Sequence, residues 1–177
     1  MTQKTLLDDP EFGAFMVTAK QNTYASGGQT KPLHLSGGGK LYTFTDEQWP
    51  QWRYADEWYG AGELDNPFFG RETYFERADT NGPFLLVAHM PYDGYAVGNE
   101  AQVKKTFAYL GEMLKKVDRD SLFRGPTTLT FGYELTYTCT WHRLGPFRVQ
   151  GQEYAMWRKL ASQRPHYHLN FQFCCLR

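Results

Sequence analysis

The chain has 177 residues, with 19 Lys and Arg against 19 Asp and Glu, so its formal net charge is zero. A neutral chain has no overall attraction for nucleic acid or for an anionic membrane, and no apolar run approaches the roughly 20 residues that a membrane helix needs. We therefore expect a single cytoplasmic domain over 1–177 whose partners are neither nucleic acid nor membrane. Aromatic residues make up 17 % of the chain, a share typical of aromatic cores, pockets and subunit contacts.

The first predicted element is a helix that begins near Pro10. Asp8 or Asp9 suits its N-cap, because a short carboxylate side chain accepts hydrogen bonds from the first unpaired amides. The helix is expected to end near Tyr24. Its predicted apolar face consists of Phe12, Phe15, Met16 and Ala19.

A glycine-rich stretch follows at 25–40, with five glycines and one proline. This composition predicts a long mobile loop, which is either an ordinary surface excursion or a lid over a site. The run from Gly37 to Lys40 has neither the glycine spacing of a phosphate-binding loop nor the Ser or Thr that follows its lysine. We therefore predict no phosphate site there, and we expect the protein to work without a cofactor.

Seven strand-like segments are spread over the rest of the chain. Two of them flank Asn81-Gly82, which is a strong hairpin signal. The seven segments are 41–45, 51–59, 72–76, 84–92, 127–141, 148–159 and 165–173.

The clearest helix of the chain lies at 99–116, between the fourth and fifth strand-like segments. Asn99 suits its N-cap, and apolar residues recur every three or four positions. One amphipathic helix flanked by aromatic strands predicts an α+β fold, in which a curved, mainly antiparallel sheet packs on this central helix. The predicted stripe consists of Val103, Phe107, Leu110, Leu114 and Val117.

A weak internal echo accompanies the order of elements. A helix followed by three or more strands occurs twice, and Gly70-Arg71-Glu72 and Gly151-Gln152-Glu153 both place Gly-x-Glu at the opening of a strand. The echo suggests two α-β-β-β repeats.

Residue parity places three carboxylates on aromatic faces of the predicted strands. Asp56 shares a face with Tyr54, Glu72 shares one with Tyr74, and Glu153 lies on the face of further aromatic residues. A carboxylate among aromatic rings is costly unless it is paired, hydrogen-bonded or protonated. These carboxylates either reach water or tie down loops at strand ends, or they form a polar cluster in an aromatic pocket.

Arg124 follows the central helix and precedes a Gly-Pro turn signal. It either bonds to carbonyl groups at the end of the helix or clamps a carboxylate, which belongs to a ligand or to Glu72. The histidines His142, His166 and His168 share part of a metal-ligand pattern, but parity places the last two on an outer face. We therefore predict no metal site.

Four short motifs occur in a fixed order: Thr-Tyr-Ala from Thr23, Tyr-x-Asp from Tyr54, Phe-Gly-x-Glu from Phe69 and Phe-Arg-Gly-Pro from Phe123. Together they resemble an uncharacterised family of bacterial domains of unknown function. Members of that family look like stand-alone proteins or domains joined to helix-turn-helix regulators, so the resemblance implies small-molecule sensing. The chain departs from the pattern at Cys174-Cys175, where the family has two glycines.

These observations favour a protein that binds a small, partly aromatic or amide-bearing molecule in a pocket between the sheet and the helices. One alternative is a cofactor-independent lyase, isomerase or cyclase that uses Asp56, Glu72 and Glu153 as catalytic acid and base. A second alternative is an interaction protein whose exposed aromatics pair subunits in a homodimer or a larger homo-oligomer. The predicted ligand-binding residues are Tyr24, Tyr54, Tyr59, Tyr74, Tyr92, Arg124 and Tyr137.

Overall fold

The computed structural model describes residues 5–23, 31–60, 67–124, 128–131, 135–157 and 166–177. Within these ranges one sheet of nine strands carries two α-helices, so the predicted α+β class with a mainly antiparallel sheet is confirmed. The helices are α1 (Pro10–Asn22) and α2 (Glu100–Leu114), with short 3₁₀ turns at Leu6–Asp8 and Arg119–Ser121. The strands are β1 (Leu33–His34), β2 (Lys40–Phe44), β3 (Trp52–Gly60), β4 (Pro67–Glu76), β5 (Leu85–Ala96), β6 (Thr128–Phe131), β7 (Leu135–Gly145), β8 (Arg148–Trp157) and β9 (Tyr167–Cys175).

The sheet consists of two meanders placed side by side. Its strand order is β1-β2-β3-β4-β5-β9-β8-β7-β6, and each pairing among the described strands is antiparallel. The first meander runs from β1 to β5 and follows α1, while the second runs from β6 to β9 and follows α2. The β5–β9 pair joins them, with Tyr92 opposite Phe171. None of the helices in the described ranges has the length and apolarity needed to cross a bilayer.

Both helices begin where the capping signals predict. Asp9 caps α1, since its Oδ1 accepts a hydrogen bond from the backbone N–H of Glu11 at 2.8 Å, and Pro10 occupies the first helical position. Asn99 caps α2, and the side chain of Gln102 completes a reciprocal capping box.

The two helices lie on the same face of the sheet. The ring of Phe12 on α1 meets Trp52 and Tyr74 edge-on, with centroid distances of 5.5 and 5.6 Å. On α2, Phe107 meets Phe68 at 5.8 Å. Phe68 and Tyr74 are six residues apart on β4 and so project from one side of that strand. We call this side the inner face and the opposite side the outer face.

The predicted apolar stripe of the central helix is confirmed at four of its five positions. Val103, Leu110, Leu114 and Val117 are buried as predicted, and Phe107 is half-buried and packed against the core. Thr106 and Met113, which the stripe omits, are buried at 1 % exposure each. Phe107 therefore lies at the edge of the face that α2 presents to the sheet.

Two predictions about the extent of elements are also wrong. The segment predicted as one strand at 127–141 contains two, because β6 pairs back on β7. The predicted loop at 25–40 contains the short strand β1, which pairs with β2. Gly37 and Gly38 take φ values of 87° and 82°, which glycine adopts readily, and they turn the chain between these strands. Residues 25–30 of the predicted loop lie outside the described ranges.

Other local predictions are confirmed. The turn before β5 contains Asn81-Gly82, where the N–H of Gly82 donates to the carbonyl of Asp79 at 3.1 Å. Alternate residues are buried along β9 and along the first half of β7, as parity predicts. Trp141 is an exception in β7, because it is 40 % exposed near the end of that long hairpin.

Candidate functional site

A small cavity lies between the inner face of the sheet and the two helices. Its volume is about 30 Å³. That is room for one or a few waters, and it is well below the ~150 Å³ of an engineered apolar cavity that binds benzene. Its apolar wall consists of Trp58, Phe68, Phe107, Leu110, Met113 and Leu114. Its polar wall consists of Lys20, Thr23, Tyr54, Asp56, Glu72, Tyr92, Arg124, Tyr137, Glu153 and Tyr167.

Three carboxylates and two basic side chains of the polar wall are buried, and we call these five residues the buried ionic network. Glu72 and Glu153 are each 2 % exposed, Lys20 is 3 %, Asp56 is 4 % and Arg124 is 8 % exposed. Charged side chains are rarely buried to this degree unless they are paired. The alternative in which the carboxylates reach water at strand ends is therefore wrong.

Glu72 on β4 is the centre of the network. Its Oε2 accepts hydrogen bonds from Lys20 Nζ at 2.5 Å and from the Tyr74 hydroxyl at 2.7 Å. Its Oε1 accepts one from Arg124 Nη1 at 3.1 Å. Lys20 also donates to the carbonyl of Phe123 at 2.6 Å, so α1 is tied both to the sheet and to the segment after α2.

Arg124 connects the two meanders. Besides its bond to Glu72, its Nε lies 2.8 Å from Glu153 Oε1 on β8. This contact is an ion pair and not an aligned hydrogen bond, because the N–H does not point at the oxygen. The other oxygen of Glu153 accepts from the Tyr167 hydroxyl at 3.0 Å, and the guanidinium lies over the Tyr92 ring, 4.8 Å from its centroid. The prediction that Arg124 binds Glu72 is confirmed, but the contact is a single hydrogen bond and not a bidentate clamp.

Asp56 on β3 differs from the two glutamates in its partner. Its Oδ1 accepts a hydrogen bond from the Tyr92 hydroxyl at 2.8 Å, and no cation of the described ranges lies within ion-pair distance of it. Burial, followed by repulsion from Glu72, raises the pKa of Asp56 to about 7, although the Tyr92 bond, Arg124 and Lys20 oppose the rise. The network thus contains one carboxylate more than it has cations, and that carboxylate holds a proton below neutral pH.

Tyr137 on β7 presents a buried hydroxyl to the same cavity. The residue is 1 % exposed, and among the described residues its hydroxyl has no hydrogen-bond partner of normal geometry. The Cys139 thiol is a close neighbour, and burial raises the pKa of that thiol to about 12 while a side-chain hydrogen bond with Tyr137 opposes the rise. A thiol is only a weak hydrogen-bond partner for a hydroxyl. Tyr137 is therefore placed to bond to a water or to a ligand in the cavity.

The structure brings most of the predicted site residues together. Those that line the cavity are Tyr54, Asp56, Glu72, Tyr92, Arg124, Tyr137 and Glu153, and Tyr74 binds Glu72 behind the wall. The prediction for Tyr59 is wrong, because its odd position on β3 turns it to the outer face. There it stacks on Phe69 with ring centroids 5.3 Å apart. Tyr24 lies outside the described ranges.

Two members of the site are missing from the sequence predictions. Lys20 stands eight residues after Phe12 and four after Met16, so helical spacing alone placed it on the buried face of α1. Tyr167 has the predicted inward direction, but its bond to Glu153 depends on the β8–β9 register, which the sequence pattern does not contain.

Comparison of the chain with family models, with characterised proteins and with solved structures finds no match. No family is assigned. The resemblance to a family of domains of unknown function therefore stays a prediction, and the site is interpreted from its own chemistry.

The histidines do not form a site. Among the described residues no group of three or more His, Cys, Asp or Glu is arranged to hold a metal ion. His166 was predicted on the outer face, but it is only 7 % exposed because it precedes β9 and does not follow that strand's alternation. Burial lowers its pKa.

The cavity offers a bound molecule three kinds of group. Asp56 can hold or release a proton near neutral pH, Tyr137 can donate or accept a hydrogen bond, and the side chains of α2 supply an apolar wall. Lys20 and Arg124 are already engaged by carboxylates. The arrangement therefore suits proton exchange and polar recognition beside an apolar surface better than it suits capture of an anion.

Proposed function

We propose that the protein binds a small molecule in the cavity between the inner face and the helices. The observation that carries this proposal is the buried ionic network around a cavity that has one apolar wall. Hydrophobic residues of similar volume often stabilise a fold as well as a buried ionic cluster does, or better. The network is thus an expensive way to hold a sheet and two helices together, whereas it is a suitable lining for a polar binding site.

The size of the cavity limits the ligand. In this conformation the space admits only a few non-hydrogen atoms. A larger ligand requires α2 to move away from the sheet, and its half-buried Phe107 contacts Phe68 and Tyr167 across the cavity. We expect binding to displace α2 outward in proportion to ligand size.

A thermal-shift screen of small polar and aromatic compounds tests this proposal. A ligand present at 100 times its dissociation constant stabilises the folded state by about 2.7 kcal/mol. Leu110→Phe narrows the cavity, so a true ligand should stabilise the wild type and lose at least half of that shift with this variant. Leu144→Phe is the control, because Leu144 is 51 % exposed at the far end of β7. Ligands that stabilise both variants equally bind elsewhere and would contradict the proposal.

An acid–base enzyme is the second candidate, because Asp56 has the pKa that such chemistry needs. A carboxyl group with a pKa near 7 inside an apolar site can take and return a proton at physiological pH. Tyr92 donates to it, and burial keeps the pKa of Tyr92 well above its usual value, so this hydroxyl stays protonated. Conversion of a bound compound, lost in Asp56→Asn, would favour the enzyme, whereas binding without conversion favours the simpler proposal.

We also infer that the two meanders are a structural repeat. Gly70 on β4 lies between Trp58 and Tyr92 on the neighbouring strands. Gly151 on β8 lies in the same way between Trp141 and Phe171. Each glycine precedes by two residues a glutamate that contacts Arg124. Equivalent positions in both meanders thus supply the two glutamates that contact Arg124, which supports duplication of one unit.

Pairing of subunits through exposed aromatics stays a prediction. Phe69 on the outer face is 58 % exposed and Tyr95 is 37 % exposed. A carboxylate-lined cavity on the inner face favours ligand binding over such an interaction as the main role.

A further inference from the structure

We propose that the molecule bound in the cavity carries an organic ammonium group, which takes the place of a proton at Asp56 while its apolar part lies against α2. This inference rests on the proposed function, since it names the chemical class of ligand for the same cavity.

The charges of the buried ionic network carry the first step. Lys20 and Arg124 supply two positive charges, and both are in ion pairs with glutamates. Asp56 supplies a third carboxylate, and the group bonded to it is the Tyr92 hydroxyl. One added cation therefore balances the network with all three carboxylates ionised. A bound anion would double the excess negative charge in a buried place, which is strongly unfavourable.

A second observation, which does not depend on the charges, is the hydroxyl of Tyr137. It lines the same cavity as Asp56, is buried, and has no hydrogen-bond partner of normal geometry among the described residues. A primary ammonium group has three N–H donors and no acceptor. The Asp56 carboxylate accepts from such a group, the Tyr137 hydroxyl oxygen is a further acceptor on the wall of the same cavity, and the rings of Tyr54 and Phe68 in the wall favour a cation further.

Asp56 is surrounded by titratable groups from each element that packs against it. They are Lys20 on α1, Tyr42 on β2, Tyr54 on β3, Glu72 and Tyr74 on β4, Tyr92 on β5 and Arg124 after α2. None of these neighbours is a histidine, so the proton that an ammonium ligand displaces near neutral pH comes from Asp56. As the pH is raised toward the pKa of about 7, the affinity for an ammonium should therefore increase about tenfold per pH unit. Above about pH 7 the affinity should level off.

Matched probes test this inference: n-butylammonium, 1-butanol and butyrate, with methylammonium as the smallest member. Each is titrated into the full-length protein at constant ionic strength between pH 5.5 and 8.5, and binding is followed by calorimetry or by NMR shifts. We expect n-butylammonium to bind at least tenfold tighter than 1-butanol at pH 7.5, with an affinity that falls about tenfold or more by pH 5.5. Butyrate should bind most weakly.

Variants assign the effect to the cavity. Asp56→Asn should weaken n-butylammonium binding at least tenfold and remove its pH dependence, while Tyr137→Phe should weaken it severalfold and keep the pH dependence. Asp93→Asn is the matched control, because Asp93 is exposed on the outer face of β5. Should Asp56→Asn fail to fold, Tyr137→Phe and the wild-type pH profile still decide the inference.

The outcomes separate the two proposals. Tighter binding of 1-butanol than of n-butylammonium, lost in Leu110→Phe, would overturn the ammonium inference and support the cavity as a binding site. Binding of none of the probes at 50 mM would also overturn the ammonium inference, and the thermal-shift screen would then decide the proposed function by itself. Equal n-butylammonium affinity in wild type and Asp56→Asn would overturn it as well.

Discussion

Asp56 links the stability of the protein to pH. Its pKa rises from 3.8 to about 7 on folding, so between these values the folded state binds this proton more tightly than the unfolded state. The stabilisation is complete below about pH 4 and is lost as the pH rises through about 7. Roughly three pKa units correspond to a loss on the order of 4 kcal/mol in the free energy of unfolding.

Denaturant melts of wild type and Asp56→Asn between pH 5 and 8 measure this loss. The difference between the two free energies of unfolding should shift steadily in favour of the variant as pH rises, and histidine titrations should cancel in that difference. Asp93→Asn should follow the wild-type curve throughout. Parallel curves for wild type and Asp56→Asn would show that Asp56 is ionised at all these pH values.

For single residues, the sequence predicts which face of a strand each side chain occupies but not which residue it contacts. Parity along single strands was enough to predict that Asp56, Glu72 and Glu153 face aromatic residues, and a turn signal marked Arg124. The distances that join them depend on which strands are neighbours and in what register, and those are tertiary properties. Helical spacing places Lys20 on the apolar face of α1. A lysine on such a face usually extends its ammonium group into solvent, so the spacing alone does not predict a buried ion pair.

Among the elements, strands β4 and β8 depend on one glycine each. A methyl group added to Gly70 would collide with the carbonyl of Glu57 and the hydroxyl of Tyr92, and one added to Gly151 would collide with the ring of Phe171. These neighbours belong to paired strands and the core, so they cannot yield easily. We expect Gly70→Ala and Gly151→Ala each to cost about 1–3 kcal/mol of stability.

Gly111 in α2 provides the matched control for these substitutions. An added methyl group there meets no described atom within 4 Å, and alanine favours the helix. Gly111→Ala should therefore stabilise the protein by about 0.5–1 kcal/mol. Urea melts of the three variants check the contrast in sign, and a neutral effect of Gly70→Ala would show that the Tyr92 ring can move aside.

The elements also show where local signals are sufficient and where they fail. Caps at Asp9 and Asn99 fixed the starts of both helices, because capping is a matter of a few adjacent residues. The reversal between β6 and β7 was missed, since 127–141 was predicted as one strand although Gly132 lies within it. Strand β1 was missed because a two-residue strand is stabilised by its pairing with β2 and not by its own composition.

For the molecule as a whole, the network joins two halves that are incomplete when separated. Lys20, Asp56 and Glu72 precede residue 98, while Arg124 and Glu153 follow it. Fragments 1–98 and 99–177 would each expose one edge of the β5–β9 pair, and fragment 1–98 would keep the two buried carboxylates Asp56 and Glu72 with the single cation Lys20. We expect neither fragment to unfold cooperatively alone and a mixture of both to recover a cooperative transition.

Circular dichroism melts of each fragment and of their equimolar mixture check this expectation. Fragment 99–177 carrying Arg124→Met is the control, because this substitution removes the cation that the two glutamates share. Its association should weaken by about 3–5 kcal/mol, as for other broken buried pairs. A full cooperative transition of fragment 1–98 alone would contradict the expectation and would make the first meander an independent unit.

The position of Arg124 between Glu72 and Glu153 also has a consequence for how this protein can change over time. Glu72 also has Lys20 as a cationic partner, whereas Arg124 is the cation that pairs with Glu153 among the described residues. Loss of the arginine alone would leave the buried Glu153 without that cation, and loss of Glu153 alone would remove one of the two carboxylates that the arginine binds. Descendants that abandon the arginine should therefore also replace Glu153, so that changes at positions 124 and 153 arrive together or not at all.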